Sequence, residues 1–354
     1  MKVLMIGAGR DVKGGVSTVV NQYYEAGLDN LVDLTYIPTM EDGSKIKKLL
    51  VAAKAYSSFC KVINDIDIVH IHMSHRASFY RKSRFIEKAA SAGKKIIIHM
   101  HGSEFDVFYE KECNDKQKAY VKRIFSMVDI VIALSEEWKN KLSVICNPGK
   151  IIVLHNAVIL PDFERTDYSD KNILFLGRLG KRKGAYDLLE AIPGVLDVVP
   201  DAHLFLGGDG DMEEIKRIIE EKSLSGSVFY IGWVTGEKKD KMLRKCSVFT
   251  LPSYHEGMPM AILEAMSYGQ IVVSTNVGGI PKVIDNDING FLVTPGDIEN
   301  LSQKLIIALT NPNKNYIGSG ARKTVFDKFN MKKNIRILTD IYSKLLDGYQ
   351  GDIV

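Results

Sequence analysis

Short runs of apolar, mostly β-branched residues recur along the chain. They fall at residues 2–7, 32–37, 67–72, 95–100, 129–133 and 151–154, and again at 172–176, 202–207, 228–231, 247–251, 271–274 and 291–293. Most lack alternation with polar positions, the pattern of strands buried on both faces of a parallel sheet. Longer stretches of helical spacing separate them, such as Tyr186 to Val199 and Met212 to Lys222. Repeated β-α units of this kind predict doubly wound α/β domains. The series splits into two, which predicts a first domain over residues 1–160 and a second over 161–330. The stretch from Asn156 to Asp170, with Pro161 and a cluster of Asp, Glu and Ser, reads as the linker. A last helix at about 331–347 follows a second domain that is already complete, and is expected to pack back on the first.

Length and composition narrow the class. A chain of 354 residues suits two domains, and 45% hydrophobic with 25% charged residues excludes disordered and collagen-like chains. The cysteines Cys60, Cys113, Cys146 and Cys246 are scattered without a C-x-x-C pair, which argues for reduced thiols in a cytoplasmic protein. The apolar run from Met1 to Ile6 is too short for a signal peptide, and no run approaches the roughly 18 residues of a membrane span. The net charge of +4 is too small to imply nucleic acid. It is unevenly placed, however, since residues 45–95 hold twelve Lys or Arg against three Asp or Glu.

Three glycine-rich or acidic segments follow strands of the second series. Residues 177–184 read Gly-Arg-Leu-Gly-Lys-Arg-Lys-Gly, four cations and three glycines at a strand-to-helix turn. Backbone N–H groups and the helix N-terminus there suit an anion, and Arg178 and Lys183 can hold a diphosphate from two sides. Taken alone, the segment also fits a solvated basic loop. Leu206-Gly207-Gly208-Asp209-Gly210 permits a tight turn and close ligand approach, though a plain turn explains it as well. The third segment runs from His255 through Gly257, Met258, Pro259, Met260 and Ala261 to Met266. It places Glu256 in a turn and Glu264 two turns into a mostly apolar helix, where an unpaired carboxylate is costly. Two carboxylates at the carboxyl end of a strand suit a hydroxyl-rich ligand.

Together these segments resemble the retaining glycosyltransferases of family four, which have the GT-B fold. The resemblance spans nearly the whole chain. It is carried by G-R-L-x-x-x-K-G at 177–184, the E-x7-E pair Glu256 and Glu264, and Gly278-Gly279-Ile280-Pro281. Gly14-Gly15-Val16, His101-Gly102 and His155-Asn156 add to it. It implies two Rossmann-like domains facing a central cleft, a nucleotide-sugar donor that is by default a UDP-sugar, and no cofactor. Arg178 and Lys183 take the role of diphosphate clamp, Glu264 that of ribose ligand. Glu256 contacts donor-sugar hydroxyls, with the N–H groups around Met258 to Ala261 and with Gly208 nearby. Gly15 approaches the diphosphate from the first domain, and His101 lies near the anomeric carbon. Lys282 departs from the family, which usually has Glu there. The resemblance further implies retention of configuration without a bound metal, and no nucleophile or Asp-x-Asp metal motif is expected to stand against it.

Two rivals weigh less. Gly7-Ala8-Gly9 follows the first strand, but Val12 occupies the third glycine of a dinucleotide fingerprint. His70-Ile71-His72 and His99-Met100-His101, with His75 close by, have spacing that can bind zinc, but no carboxylate partners are evident. A non-catalytic nucleotide-sugar binder would share the donor site. The acceptor side rests on charge. Lys45, Lys47, Lys48, Lys54 and Lys61 accompany Leu49, Leu50, Val51, Ala55, Tyr56 and Phe59, a basic amphipathic helix. Arg76, Arg81, Lys82 and Arg84 interleave with Phe79, Tyr80 and Phe85. Both clusters suit an anionic bilayer surface. The expectation is therefore a cytoplasmic enzyme, peripheral on the inner membrane face, with a lipid-diphosphate-linked saccharide acceptor and no nucleic-acid partner.

Overall fold

The computed structural model describes residues 1–102 and 104–348. It contains two parallel six-stranded sheets. The first comprises β1 (Lys2–Gly7), β2 (Asp33–Pro38), β3 (Ile68–Met73), β4 (Lys95–Met100), β5 (Ile130–Ala133) and β6 (Ile151–Val153), in the order β2-β1-β3-β4-β5-β6. The second comprises β7 (Asn172–Leu176), β8 (His203–Gly207), β9 (Val228–Gly232), β10 (Val248–Leu251), β11 (Ile271–Thr275) and β12 (Phe291–Val293), in the order β12-β11-β10-β7-β8-β9. β3, β5, β10 and β11 are buried at every position. That is why these runs carry no polar alternation.

The chain divides into two compact units. One holds residues 1–157 and the segment from Met331, the other Val158–Asn330. The division falls three residues before the expected boundary. The expected linker is mostly part of the second unit's wall. Buried Arg165 donates to the carbonyls of Leu243 and Arg244 at 2.8 Å, and the Tyr168 hydroxyl donates to the Gly269 carbonyl at 2.8 Å. Arg165 and Tyr168 are buried and held by these bonds, while Asp162, Glu164, Asp167 and Ser169 are exposed. The helix Met331–Leu346 lies in the first unit, where Asn334 donates to the His155 carbonyl at 2.7 Å.

Local chemistry starts the helices where expected. Ser44, Ser135, Asp211 and Asp297 each accept a backbone N–H at a helix N-terminus. The helix Lys45–Val62 departs from a simple core-packed face. Only Ala55 and Phe59 are buried, while Ile46, Leu49 and Leu50 are 72%, 71% and 65% exposed beside Lys45, Lys47 and Lys48. The second cluster behaves oppositely. Phe79, Phe85 and Lys82 are buried in the helix Ala77–Ser91, and Arg76 is ion-paired with Glu112 and Glu104. Phe79, Phe85 and Lys82 therefore belong to the interior of the first unit and are withdrawn from any membrane, which corrects the expectation for them, while Arg76, Tyr80 and Arg84 are exposed.

Candidate functional site

In the second unit the chain leaves β7, lays down β8 and β9 on one side, then returns to the other side with β10. The loops after β7 and β10 therefore diverge at a switch point, and a crevice opens at the carboxyl ends of these strands. The loop after β7 is residues 177–184, and the loop after β10 carries Glu256. They are stitched together. Tyr254 N–H donates to the Arg182 carbonyl at 2.9 Å, and the Arg182 guanidinium donates to the His255 carbonyl at 3.2 Å. Gly184 has φ 68°, and a Cβ there would stand 1.9 Å from the Pro252 oxygen. Only glycine closes that contact.

The charged residues of these loops pair with each other. Lys183 Nζ bonds Glu256 Oε1, and the Ser253 hydroxyl donates to the same oxygen at 2.7 Å. The sequence reading gave Lys183 to the diphosphate and Glu256 to the sugar; the structure places them in one ion pair, with Glu256 buried and Lys183 partly so. Glu264, in the helix Met260–Ser267, pairs with Lys239 Nζ at 2.7 Å. Lys239 belongs to the helix Gly236–Lys245, whose run of charges made it indistinguishable from solvated neighbours in the sequence. Arg178 is exposed, and among the described residues it forms no ion pair. Arg178 is thus an exposed cation outside any ion pair among the described residues, in the same loop as a lysine held in place by a carboxylate.

Two further segments shape the crevice through backbone contact. Leu179 N–H donates to the Asp209 carbonyl at 2.7 Å, and Asp211 N–H to the Leu179 carbonyl at 3.0 Å. A Cβ at Gly208 would meet the Gly177 oxygen at 1.8 Å, so this buried glycine serves close packing of two backbones. Gly278 and Gly279 lie against the carbonyls of Glu256 and Gly257 in the same way, and Gly279 N–H donates to the Gly257 carbonyl at 2.6 Å. That contact fixes the turn Gly257, Met258, Pro259 leading into Met260 and Ala261, whose first-turn N–H groups have no acceptor within the helix. Lys282 is exposed. Asp-x-Asp triplets do occur, at Asp65–Asp67, Asp209–Asp211 and Asp285–Asp287, contrary to the expectation. Asp67 accepts the Lys2 N–H, Asp211 caps a helix and accepts the Tyr186 hydroxyl, and Asp287 pairs with Lys304.

In the first unit Gly15 opens the helix Gly15–Glu25 and is exposed, with nothing within 4 Å of where a Cβ would stand. His101 follows β4. Its Nε2 faces His72 Nδ1 at 2.8 Å; His70 Nε2 faces His99 Nδ1 at 3.3 Å, and His70 Nδ1 faces the Tyr342 hydroxyl at 2.5 Å. The four imidazoles form one ladder on one face of the sheet, with neighbouring ring centres 4.4–5.4 Å apart. His70, His72 and His99 offer nitrogens within 4.8 Å of one another. The donor set does not suit zinc, because the two nitrogens of His70 face Tyr342 and His99 and one of His72 faces His101. Only Nε2 of His72 and Nε2 of His99 are buried without a partner, one short of the three protein ligands of a catalytic zinc. Burial holds His70, His72 and His101 well below the usual imidazole range and pushes His99 down to about 3, so the ladder is neutral.

Residues 17–160 match the family model described as Glycosyltransferase Family 4, and residues 161–324 that described as Glycosyl transferases group 1. The chain is similar to the UDP-Gal:alpha-D-GlcNAc-diphosphoundecaprenol alpha-1,3-galactosyltransferase of Escherichia coli. The two are 27% identical over 350 residues, covering 89% of this chain and 84% of the relative. An uncharacterized 41.2 kDa protein in the cps region of Klebsiella pneumoniae is 30% identical over 310 residues, 80% of this chain and 83% of its own. Among solved structures, Anabaena HepE in complex with UDP matches with a TM-score of 0.75 at 16% identity, over 97% of this chain and 100% of that one. The likeness in structure is one of fold.

Proposed function

Because the chain belongs to the glycosyltransferases of the family-four and group-1 type, with two Rossmann-like domains of the GT-B class, we propose that it moves a hexose from a UDP-sugar to a lipid-diphosphate-linked saccharide, with retention and without a metal. The observation that carries the donor assignment is the part-buried Lys183–Glu256 pair in the same loops as exposed Arg178 at the switch point of the second sheet. In transfer, the bond from the anomeric carbon to the diphosphate breaks and one from the acceptor oxygen forms on the same face. The acceptor proton passes to the leaving diphosphate. Charge grows on that diphosphate, and fixed cations with first-turn N–H groups stabilise it without reorganisation. Arg178 and Lys183 supply the positive charge, and Glu256 holds Lys183 toward the crevice until donor-sugar hydroxyls compete for its oxygens. Glu264 receives the ribose. The E. coli relative, named for a diphosphoundecaprenol acceptor, supports the lipid-linked half of the reading. The test is a donor screen for released nucleotide, with and without lipid-linked acceptor, followed by the anomeric configuration of the product. An inverted product, or activity abolished by EDTA and restored by manganese, contradicts this reading.

The two glutamates are expected to separate by ligand. Glu264→Ala loses affinity for free UDP and for UDP-sugar alike, by about tenfold or more, since a hydrogen bond involving a charged group contributes about 1.5–3 kcal/mol. Glu256→Gln, whose amide oxygen still accepts from Lys183, lowers turnover of the sugar nucleotide and leaves UDP affinity within about twofold. Calorimetry with both ligands distinguishes them, and the reverse pattern would exchange the roles.

No helix among the described residues is long and apolar enough to cross a membrane. The helix Lys45–Val62 instead carries exposed Ile46, Leu49 and Leu50 among lysines, which is the composition of a segment lying in a bilayer interface. Each lysine near an anionic surface contributes on the order of 1 kcal/mol. Sedimentation with phosphatidylserine-containing vesicles is expected to carry the protein down at low salt, and vesicles of neutral lipid alone are not. Leu49→Asp with Leu50→Asp, or charge reversal at Lys45 and Lys48, abolishes it while donor binding is kept. A wild-type protein that ignores anionic vesicles at low salt refutes the attachment.

A further inference from the structure

In the first unit, two cations are withdrawn from water without a counter-charge. Lys82 is 4% exposed, and its Nζ donates to the Ser78 hydroxyl at 3.1 Å. No carboxylate pairs with it among the described residues. The charge that acts on it is that of Arg81, and the groups on which it acts are the neutral imidazoles of His72 and His101. Arg81 is half-buried, and its Nε is buried with no hydrogen-bond partner. A leucine or methionine at either position would fill the same space without desolvating a charge. Burial and the neighbouring guanidinium push the Lys82 ammonium down to about 7.

The geometry gives these cations a direction. Side chains on a helix lean toward its N-terminus, and Lys82 reaches back to Ser78, one turn from the start of the helix Ala77–Ser91. That start follows the carboxyl end of β3, while Arg76 and Ala77 beside it are exposed. The end of β4 lies against it. A Cβ at Gly102 would stand 3.1 Å from both Ser74 Oγ and His75 Nδ1, so the loop carrying His101 packs on the loop entering this helix. Ser78 N–H donates to the His75 carbonyl at 3.2 Å, and the helix dipole adds positive potential at the same place.

We propose that Lys82 and Arg81, in the second turn of the helix Ala77–Ser91 with Lys82 reaching back to its first turn, form an anion subsite that holds a phosphate of the acceptor. This rests on the glycosyltransferase reading for what the anion is attached to, and on the first unit alone for the subsite. A diphosphate supplies the missing counter-charge and fixes the acceptor saccharide beside His101. Lys82 takes up a proton as the anion binds.

The test uses the full-length protein saturated with UDP, so that the donor site is filled. Inorganic pyrophosphate is titrated by calorimetry in two buffers of different ionisation enthalpy. Wild type is expected to bind with proton uptake; Lys82→Met loses at least tenfold in affinity and the proton uptake, and Lys82→Arg keeps the affinity. Kinetics use a short-chain alkyl diphosphate-linked sugar and the matching neutral alkyl glycoside. Lys82→Met is expected to raise KM for the diphosphate acceptor at least tenfold, leaving the neutral acceptor and the donor KM within twofold. Lys82→Met also melts at or above the wild-type temperature, because it removes an unpaired charge. Equal loss on both acceptors, a lowered melting temperature, or wild-type pyrophosphate binding in the variant overturns the subsite. If wild type transfers to neither acceptor, the lipid-linked reading falls, and the pyrophosphate titration still decides the subsite.

Discussion

Lys183→Met is expected to lower kcat/KM for the donor by about two orders of magnitude, and Arg178→Ala by about one. Loss of a hydrogen bond involving a charged group costs about 1.5–3 kcal/mol, and each 1.36 kcal/mol is a factor of ten in rate. Lys183 stands at the upper end because its removal also strands Glu256. That carboxylate is buried, and without Lys183 its Oε1 keeps only the Ser253 hydroxyl. Arg178 is exposed, so its loss strands nothing and is partly compensated by water. Steady-state kinetics with a check of fold by circular dichroism measure both effects. A second variant tells a clamp from a structural pair. If Lys183 merely neutralised Glu256, replacing both by Met and Leu would restore affinity for free UDP, which has no sugar for Glu256 to hold, since an ion pair exchanged for apolar residues is often neutral. Recovery in the double variant, or unchanged kinetics in both single variants, removes the clamp assignment.

Acid is expected to unfold the first unit at a pH where the second stays folded. The four ladder histidines are neutral when folded because burial depresses them, His99 to about 3. In the unfolded chain each titrates near 6.5. Between those values the unfolded chain binds more protons, so stability is full above about pH 6.5 and is lost as pH falls toward 3. Each group contributes up to about 1.4 kcal/mol per pH unit, and four together at pH 5 rival the whole stability of a domain. The sequence holds two tryptophans, Trp138 in the first unit and Trp233 in the second. Urea unfolding of Trp233→Phe and Trp138→Phe variants, each followed by its remaining tryptophan at pH 7.5 and pH 5, reads the units separately. The Trp138 midpoint is expected to fall steeply and the Trp233 midpoint little. Equal shifts at both probes would contradict the assignment to the ladder.

The periodicity alone placed every strand. Each of the twelve apolar runs became a strand within one residue at either end; the inner strands are mostly apolar because both faces are buried, while the edge strands β2 and β9 are partly exposed. The glycines at 177–184, 207–210 and 278–279 were legible as turns for a similar local reason: a positive φ or a missing Cβ is a property of one position. Glycine chemistry does not say what presses on it, and here it is another backbone, at Gly208 and Gly278 alike.

Which charge meets which was decided by the tertiary structure. Lys183 and Glu256 are 73 residues apart, and they meet only because β7 and β10 are neighbours at a crossover that skips β8 and β9. Lys239 had no local signal for the same reason. The two basic clusters of the first unit show the limit most plainly. Both have lysines or arginines interleaved with apolar side chains, yet Ile46, Leu49 and Leu50 face out while Phe79, Phe85 and Lys82 face in. Helical spacing determines which residues share a face; only packing against the rest of the chain determines whether that face is covered. The sequence by itself thus determined the strands, the turns and the residue types available at the crevice. The pairing of those residues, and the burial that gives Lys82 and the histidine ladder their chemistry, follow from long-range contacts between strands and helices far apart in the chain.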